Sequence, residues 1–129
     1  MAKYRFSFSE RLAIWEAYGR ICLYCEEPIS FRDFEADHVL PEDLLGQPDR
    51  LQALIKEYDL ASDFSVNSFL NWAATHHKCN RRKGNNLASK SRALHFLQIA
   101  EQKGSDAKRR WEYYEKANKA NKVLAKLRV

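Results

Sequence analysis

The chain of 129 residues has no apolar run approaching the ~20 residues that a bilayer-spanning helix requires, so no membrane span is expected. Behind the opening Met1-Ala2-Lys3-Tyr4-Arg5-Phe6-Ser7 there is charge but no apolar signal core, so secretion by that route is not expected. Cysteine is scarce and odd in number: Cys22, Cys25 and Cys79 cannot complete a disulfide framework. A reducing cytoplasm is the expected compartment, and there a close pair of thiols more often holds metal. Neither an internal repeat nor a low-complexity linker interrupts the chain.

What remains is the composition of one soluble globular domain, with 45% of residues hydrophobic and 30% charged. A core is possible at this size but modest, so a metal staple or a partner would help to hold it. The net charge of +5 hides an asymmetry. Residues 1–75 hold 7 basic and 13 acidic side chains, a net of −6, whereas residues 76–129 hold 15 basic and 4 acidic, a net of +11. That split argues for a polyanion-binding half joined to something else.

Local signals outline the elements. Ser7 followed by Glu10 is a capping-box pair, and the apolar face from Phe8 to Tyr18 predicts a helix over 8–18, ended by Gly19. Residues 29–40 read as extended, closed by Pro41, and Pro48-Asp49 opens a short helix with Leu51, Leu54, Ile55 and Tyr58 on one face. Residues 64–75 suit a buried strand or loop. Asn85 and Asn86 punctuate the chain before a helix over 87–102, with Leu94, Leu97 and Ile99 inward and Gly104 ending it. Ala107, Trp111, Tyr114, Ala117, Ala120, Leu124 and Leu127 then keep three-and-four spacing through a helix over 105–128 whose other face is rich in Lys and Arg. Packing on its own domain or on a second copy is favoured for that stripe over service as a nucleic-acid arm. The expected class is α+β, mostly helical.

The chemistry gathers on the thiols and histidines. Cys22-x2-Cys25 is one knuckle, and His76-x2-Cys79 is a second, 51 positions later. Zinc takes four such ligands in a closed tetrahedron, and ligands with this spacing fit one ion. Buried thiols beside a surface histidine are the ordinary alternative. Two matched knuckles that use every cysteine favour a structural Cys3His zinc site instead. His77 is a rival fourth ligand, but the repeated spacer favours His76. Such a site would pin the ends of a long loop and offset its closure entropy.

Between the knuckles lies Glu35-Ala36-Asp37-His38-Val39-Leu40-Pro41; Asn71 precedes His76 by five positions, Asn80 follows Cys79, and Lys83 comes three later. In this order the residues resemble the HNH endonuclease family, built on a ββα-metal finger braced by a zinc knuckle. The resemblance covers Cys22 to about Asn85 and includes the family's usual nine-residue step from Asn71 to Asn80. It implies that His38 is the general base, taking a proton from the attacking water. It implies that Asp37 and Asn80 hold one divalent cation, Mg²⁺ or Mn²⁺, beside the scissile phosphate. Asn71 matches the central asparagine, which fixes the loop and orients the base. Because successive strand side chains point to opposite faces, Asp37 and His38 can both serve only where the strand ends.

Three features depart from the family. Asn80 stands where many relatives have His, one zinc ligand is His, and the gap from His38 to Asn71 is long. Asn67 is a rival for the central asparagine, and His95 is expected to be packed or exposed and not a ligand.

Lys78, Arg81, Arg82 and Lys83 are expected around the start of the metal-binding helix, where free N–H groups also favour phosphate, and Lys90 and Arg92 continue the patch. No recognition-helix motif is visible, so backbone-dominated binding with weak sequence preference is expected. The resemblance therefore implies a DNA-cleaving nuclease domain over residues 1–104, with RNA left open as substrate and a motif core over 22–85. Residues 105–129 form a basic amphipathic helix suited to a homodimer or a larger assembly. The alternatives are a non-catalytic zinc-stabilised nucleic-acid-binding module and a nuclease subunit of a phage-defence or mobile-element complex.

Overall fold

The computed structural model describes residues 3–84 and 86–127; Asn85 of the expected turn, and residues 1–2 and 128–129, lie outside the described residues. Among the described residues, four helices accompany a two-stranded antiparallel sheet. In chain order they are α1 (Phe8–Ala17), β1 (Phe34–His38), α2 (Pro48–Glu57), β2 (Trp72–His76), α3 (His77–Lys83) and α4 (Lys90–Leu127), with a 3-10 turn at Glu42–Gly46. The class is α+β and mostly helical.

The capping box forms as its residues dictate. The Ser7 hydroxyl accepts from the Glu10 N–H while the Glu10 carboxylate accepts from the Ser7 N–H, satisfying two donors that the helix start leaves free. Ala13, Ile14 and Ala17 of α1 then face the core. Pro48 sits in the first turn of α2, where its missing N–H is harmless. The paired strand is shorter than residues 29–40 suggest, because a turn at Ser30–Asp33 (N–H to carbonyl, 3.1 Å) intervenes before Phe34.

The largest difference from expectation is α4. It runs unbroken through Gly104, so the stop expected there does not occur and a boundary at 104 falls inside a helix. Gly104 is required by close approach: a Cβ at this position would lie 2.7 Å from the Phe69 carbonyl carbon. The apolar stripe of α4 divides in two. Ala107 is buried, Trp111 and Tyr114 pack against the core, and the Ser9 hydroxyl of α1 donates to Glu115 at 2.6 Å. Ala117, Ala120, Leu124 and Leu127 are exposed. Among the described residues no helix is long and apolar enough to cross a membrane.

The hairpin register runs from Phe34 opposite His76 to His38 opposite Trp72. Its two ends are therefore about 13 Å apart, at ~3.3 Å per residue. Helix α3 leaves directly from β2 and lies along β1: Asn80 bonds to Glu35 at 2.9 Å, and the Lys83 ammonium donates to the His38 carbonyl at 2.8 Å. Phe34, Trp72, Ala73 and Ala74 of the two strands join the buried core.

Candidate metal centre and adjoining cleft

The first end of the hairpin collects Cys22, Cys25, His76 and Cys79, whose ligand atoms all lie within 4.8 Å of one another. A tetrahedron of ~2.3 Å metal–sulfur bonds separates its sulfurs by about 3.8 Å, so the set can hold a metal ion such as zinc. A short turned segment carries the first pair: the Cys22 N–H donates to the Glu27 carbonyl, the Glu26 N–H to that of Cys22, and the Leu23 N–H to that of Ala74 in β2. Glu26 takes a left-handed φ of 62° to close this turn. The second pair sits where β2 passes into α3, which puts Cys79 in the helix's first turn.

Tautomer geometry decides between the adjacent histidines. The His76 Nε2–H donates to the Pro28 carbonyl at 2.9 Å, which leaves the Nδ1 lone pair facing Cys25 Sγ at 3.3 Å and Cys79 Sγ at 3.9 Å. His77 instead turns its Nδ1 to the Glu35 carboxylate. Burial pushes the Cys22 thiol up, but N–H groups of Cys25, His76 and Tyr24 outweigh it and bring it down to about 6. Cys79 goes the other way: burial, and then the sulfurs of Cys25 and Cys22, push it up to about 11. Crowded thiols of this kind lose their protons together only beside a cation.

The other end of the hairpin carries the second group. Asp37, His38, Asn80 and Lys83 line one cleft of about 210 Å³, together with Phe6 and Glu42. Asp37 is buried on the face of β1 toward α3, where its Oδ2 accepts from the Tyr24 hydroxyl at 2.6 Å and pairs with the Lys83 ammonium at 3.1 Å. His38 is the last strand residue and lies against the rings of Phe6 and Trp72. Its Nε2 faces Asn67 Oδ1 at 2.7 Å; because that oxygen only accepts, Nε2 carries the proton and Nδ1 the lone pair.

Asn71 is fully buried and clamps the loop between the strands. Its Oδ1 accepts from the Leu40 N–H at 2.8 Å, and its Nδ2 donates to the carbonyls of Leu40 (3.0 Å) and Val66 (2.8 Å). The side-chain contact to His38 is made by Asn67, so the two rival asparagines divide the work: one holds the loop, the other the imidazole.

The sequence reading missed Glu35 and Tyr24. Glu35 accepts from Asn80 and pairs with His77. Burial raises its pKa, but Asn80, His77 and Arg81 outweigh that and hold the carboxyl below the usual range. Its signal was available, since Glu35 and Asp37 are two apart and share a strand face. Tyr24 carried none, because nothing local links the inside of a knuckle to a strand thirteen residues away.

The basic residues need one correction. Arg81, Arg82 and Lys83 occupy the last turn of α3, not its start, where they complement the negative end of the helix dipole. Lys78 is in the first turn and exposed. Lys90 lies over the Tyr58 ring at 6.0 Å, and Arg92 over Phe96 at 5.4 Å. His95 is exposed on α4 and away from both clusters. No family model, curated protein or solved structure matches the chain.

Proposed function

We propose that the protein is a metal-dependent HNH endonuclease that hydrolyses DNA phosphodiester bonds, with β1, β2 and α3 as its ββα-metal core. The observation that carries this reading is the convergence of Asp37, His38 and Asn80 on one cleft, from strand and helix residues more than forty positions apart. His38, held through Nε2–H by Asn67, offers Nδ1 to take the proton of an attacking water. Asp37 and Asn80 present hard oxygen donors that fit Mg²⁺ or Mn²⁺. Such a cation, when bound, supplies positive charge to the scissile phosphate and the leaving 3′ oxygen. Lys83, beside Asp37, adds a fixed positive charge at the same place. The Cys3His cluster holds structural zinc, a role suited to a cytoplasm that keeps thiols reduced. One centre cuts one strand, so a double-strand break needs a dimer or a larger assembly, and the exposed apolar end of α4 offers the surface for either.

The test is plasmid nicking with Mg²⁺, Mn²⁺ or EDTA. His38→Ala should lose at least about a hundredfold of the rate, with zinc content and circular dichroism unchanged; unchanged nicking in a clean preparation ends the proposal. Asp37→Ala should behave alike.

One observation favours a second reading, a non-catalytic zinc-stabilised nucleic-acid-binding module. Asp37 already pairs with Lys83, and the Asn80 NH₂ donates to Glu35, so both side chains are held in place without a divalent ion. Tight DNA binding by a wild type that nicks with neither metal would select it.

A further inference from the structure

We propose that a second cavity, beside the cleft, is a nucleotide subsite that takes one unstacked base of a single-stranded stretch together with its phosphate. Its place next to a cleavage centre rests on the nuclease reading; its chemistry does not.

The cavity lies between the Cys22–Cys25 knuckle, the end of α3 and the first turns of α4, with a volume of about 380 Å³. That falls within the ~300–1,000 Å³ typical of small-ligand sites. Leu87, Ala88, Tyr24 and Phe96 give it apolar walls, and Arg82, Lys83 and Arg92 supply positive charge; its lining includes no carboxylate among the described residues. The Tyr24 and Phe96 rings meet edge to face at 5.1 Å, and the Arg92 guanidinium lies 5.4 Å over the Phe96 ring. A nucleobase uses flat walls of this kind by stacking on aromatic and guanidinium planes, while its phosphate pairs with the cations. An acidic peptide would use the cations and leave the flat walls idle. A neutral apolar ligand would make no use of the Arg82 and Arg92 charges.

Two contacts tie this cavity to the cleft. Lys83 lines both, and Tyr24 in the cavity wall donates its hydroxyl proton to Asp37. A nucleotide held here is thus a neighbour, along the same strand, of a phosphate at Asp37 and His38. Cys25 and Cys79 also line the cavity, so the metal cluster sets its shape.

The experiment uses the full-length zinc-loaded protein without added Mg²⁺ or Mn²⁺. Fluorescence anisotropy compares a labelled oligothymidylate with a duplex of equal length, with thymidine monophosphate or inorganic phosphate as competitor. Phe96→Leu should weaken single-strand binding about tenfold and duplex binding less than twofold, and Arg92→Gln should act in the same direction. Thymidine monophosphate should compete at lower concentration than inorganic phosphate. Equal losses on both DNA forms, or phosphate competing as well as the nucleotide, would overturn the subsite. If Phe96→Leu fails to fold, the wild-type competition decides alone. Single-strand preference without nicking refutes the nuclease reading and keeps the subsite, whereas nicking without that preference does the reverse.

Discussion

At one end of the β1–β2 hairpin, three thiols and an imidazole nitrogen face one another, and the ring's outer N–H bonds away to Pro28. At the other end, Asp37, His38 and Asn80 each have a protein partner: Lys83 with Tyr24, Asn67, and Glu35. The first arrangement could hold a metal ion, since three thiol sulfurs and an imidazole lone pair face the same small space. In the second, the Asp37 carboxylate is already balanced by the Lys83 ammonium. One short sheet thus joins a cluster that could hold a metal ion to a cleft for which the proposed function invokes a cation in chemistry alone.

Stripping the metal is the strongest way to break this comparison. A chelator, or Cys22→Ala, should lower the melting temperature by roughly 15 °C or abolish cooperative melting, since structural zinc contributes folding free energy outright. A calorimetric scan checks it, and a chelated protein that melts like the untreated one would erase the distinction between the two ends. Next in size is Asn71→Ala, which leaves three buried backbone groups of Leu40 and Val66 without partners. Denaturant titration should show a loss of about 3 kcal/mol, with zinc content unchanged.

Gly104→Ala should destabilise by about 1–3 kcal/mol through the clash with Phe69, although alanine gains about 1 kcal/mol in an open helix. A stabilised variant would mean that α4 does not approach Phe69 so closely. At the cleft, Lys83→Met removes a cation beside Asp37 and should tighten Mn²⁺ binding about fivefold, the equivalent of ~1 kcal/mol between like charges in a high dielectric. Titration calorimetry reads that change directly, and weaker Mn²⁺ binding would show that Lys83 organises the cleft and does not compete within it.

The smallest effect is in pH. The Glu35 carboxyl is held low in the folded protein, so its contribution is full above the ordinary carboxylate value of about 4.3 and fades as pH falls through its lower folded value. The side-chain NH₂ resonances of Asn80 should shift in that acid window. Resonances that stay still through that window would show that Glu35 does not govern Asn80.

Residues that act within one turn or one strand were legible in advance. Ser7 and Glu10 cap α1 because three residues of helix bring them together, and Pro48 opens α2 for reasons contained in its own ring. The knuckle spacing is equally local, and it singled out the four side chains that cluster. Gly104 misled because glycine's helix-breaking tendency is a local rule, whereas its reason for being here is the backbone of Phe69. The extent of β1 was overread because extended propensity does not say which residues find a partner strand.

By itself, then, the sequence determined the starts of α1 and α2, the four side chains that cluster and the order of Asp37, His38, Asn71 and Asn80, all of which follow from periodicities and spacings along the chain. Only the tertiary structure decided that Asn67 and not Asn71 faces the imidazole, that Glu35 orients Asn80, and that Tyr24 links the knuckle to Asp37. Those pairs are separated by 29, 45 and 13 positions, and no local rule specifies a contact made by closing a loop of that length.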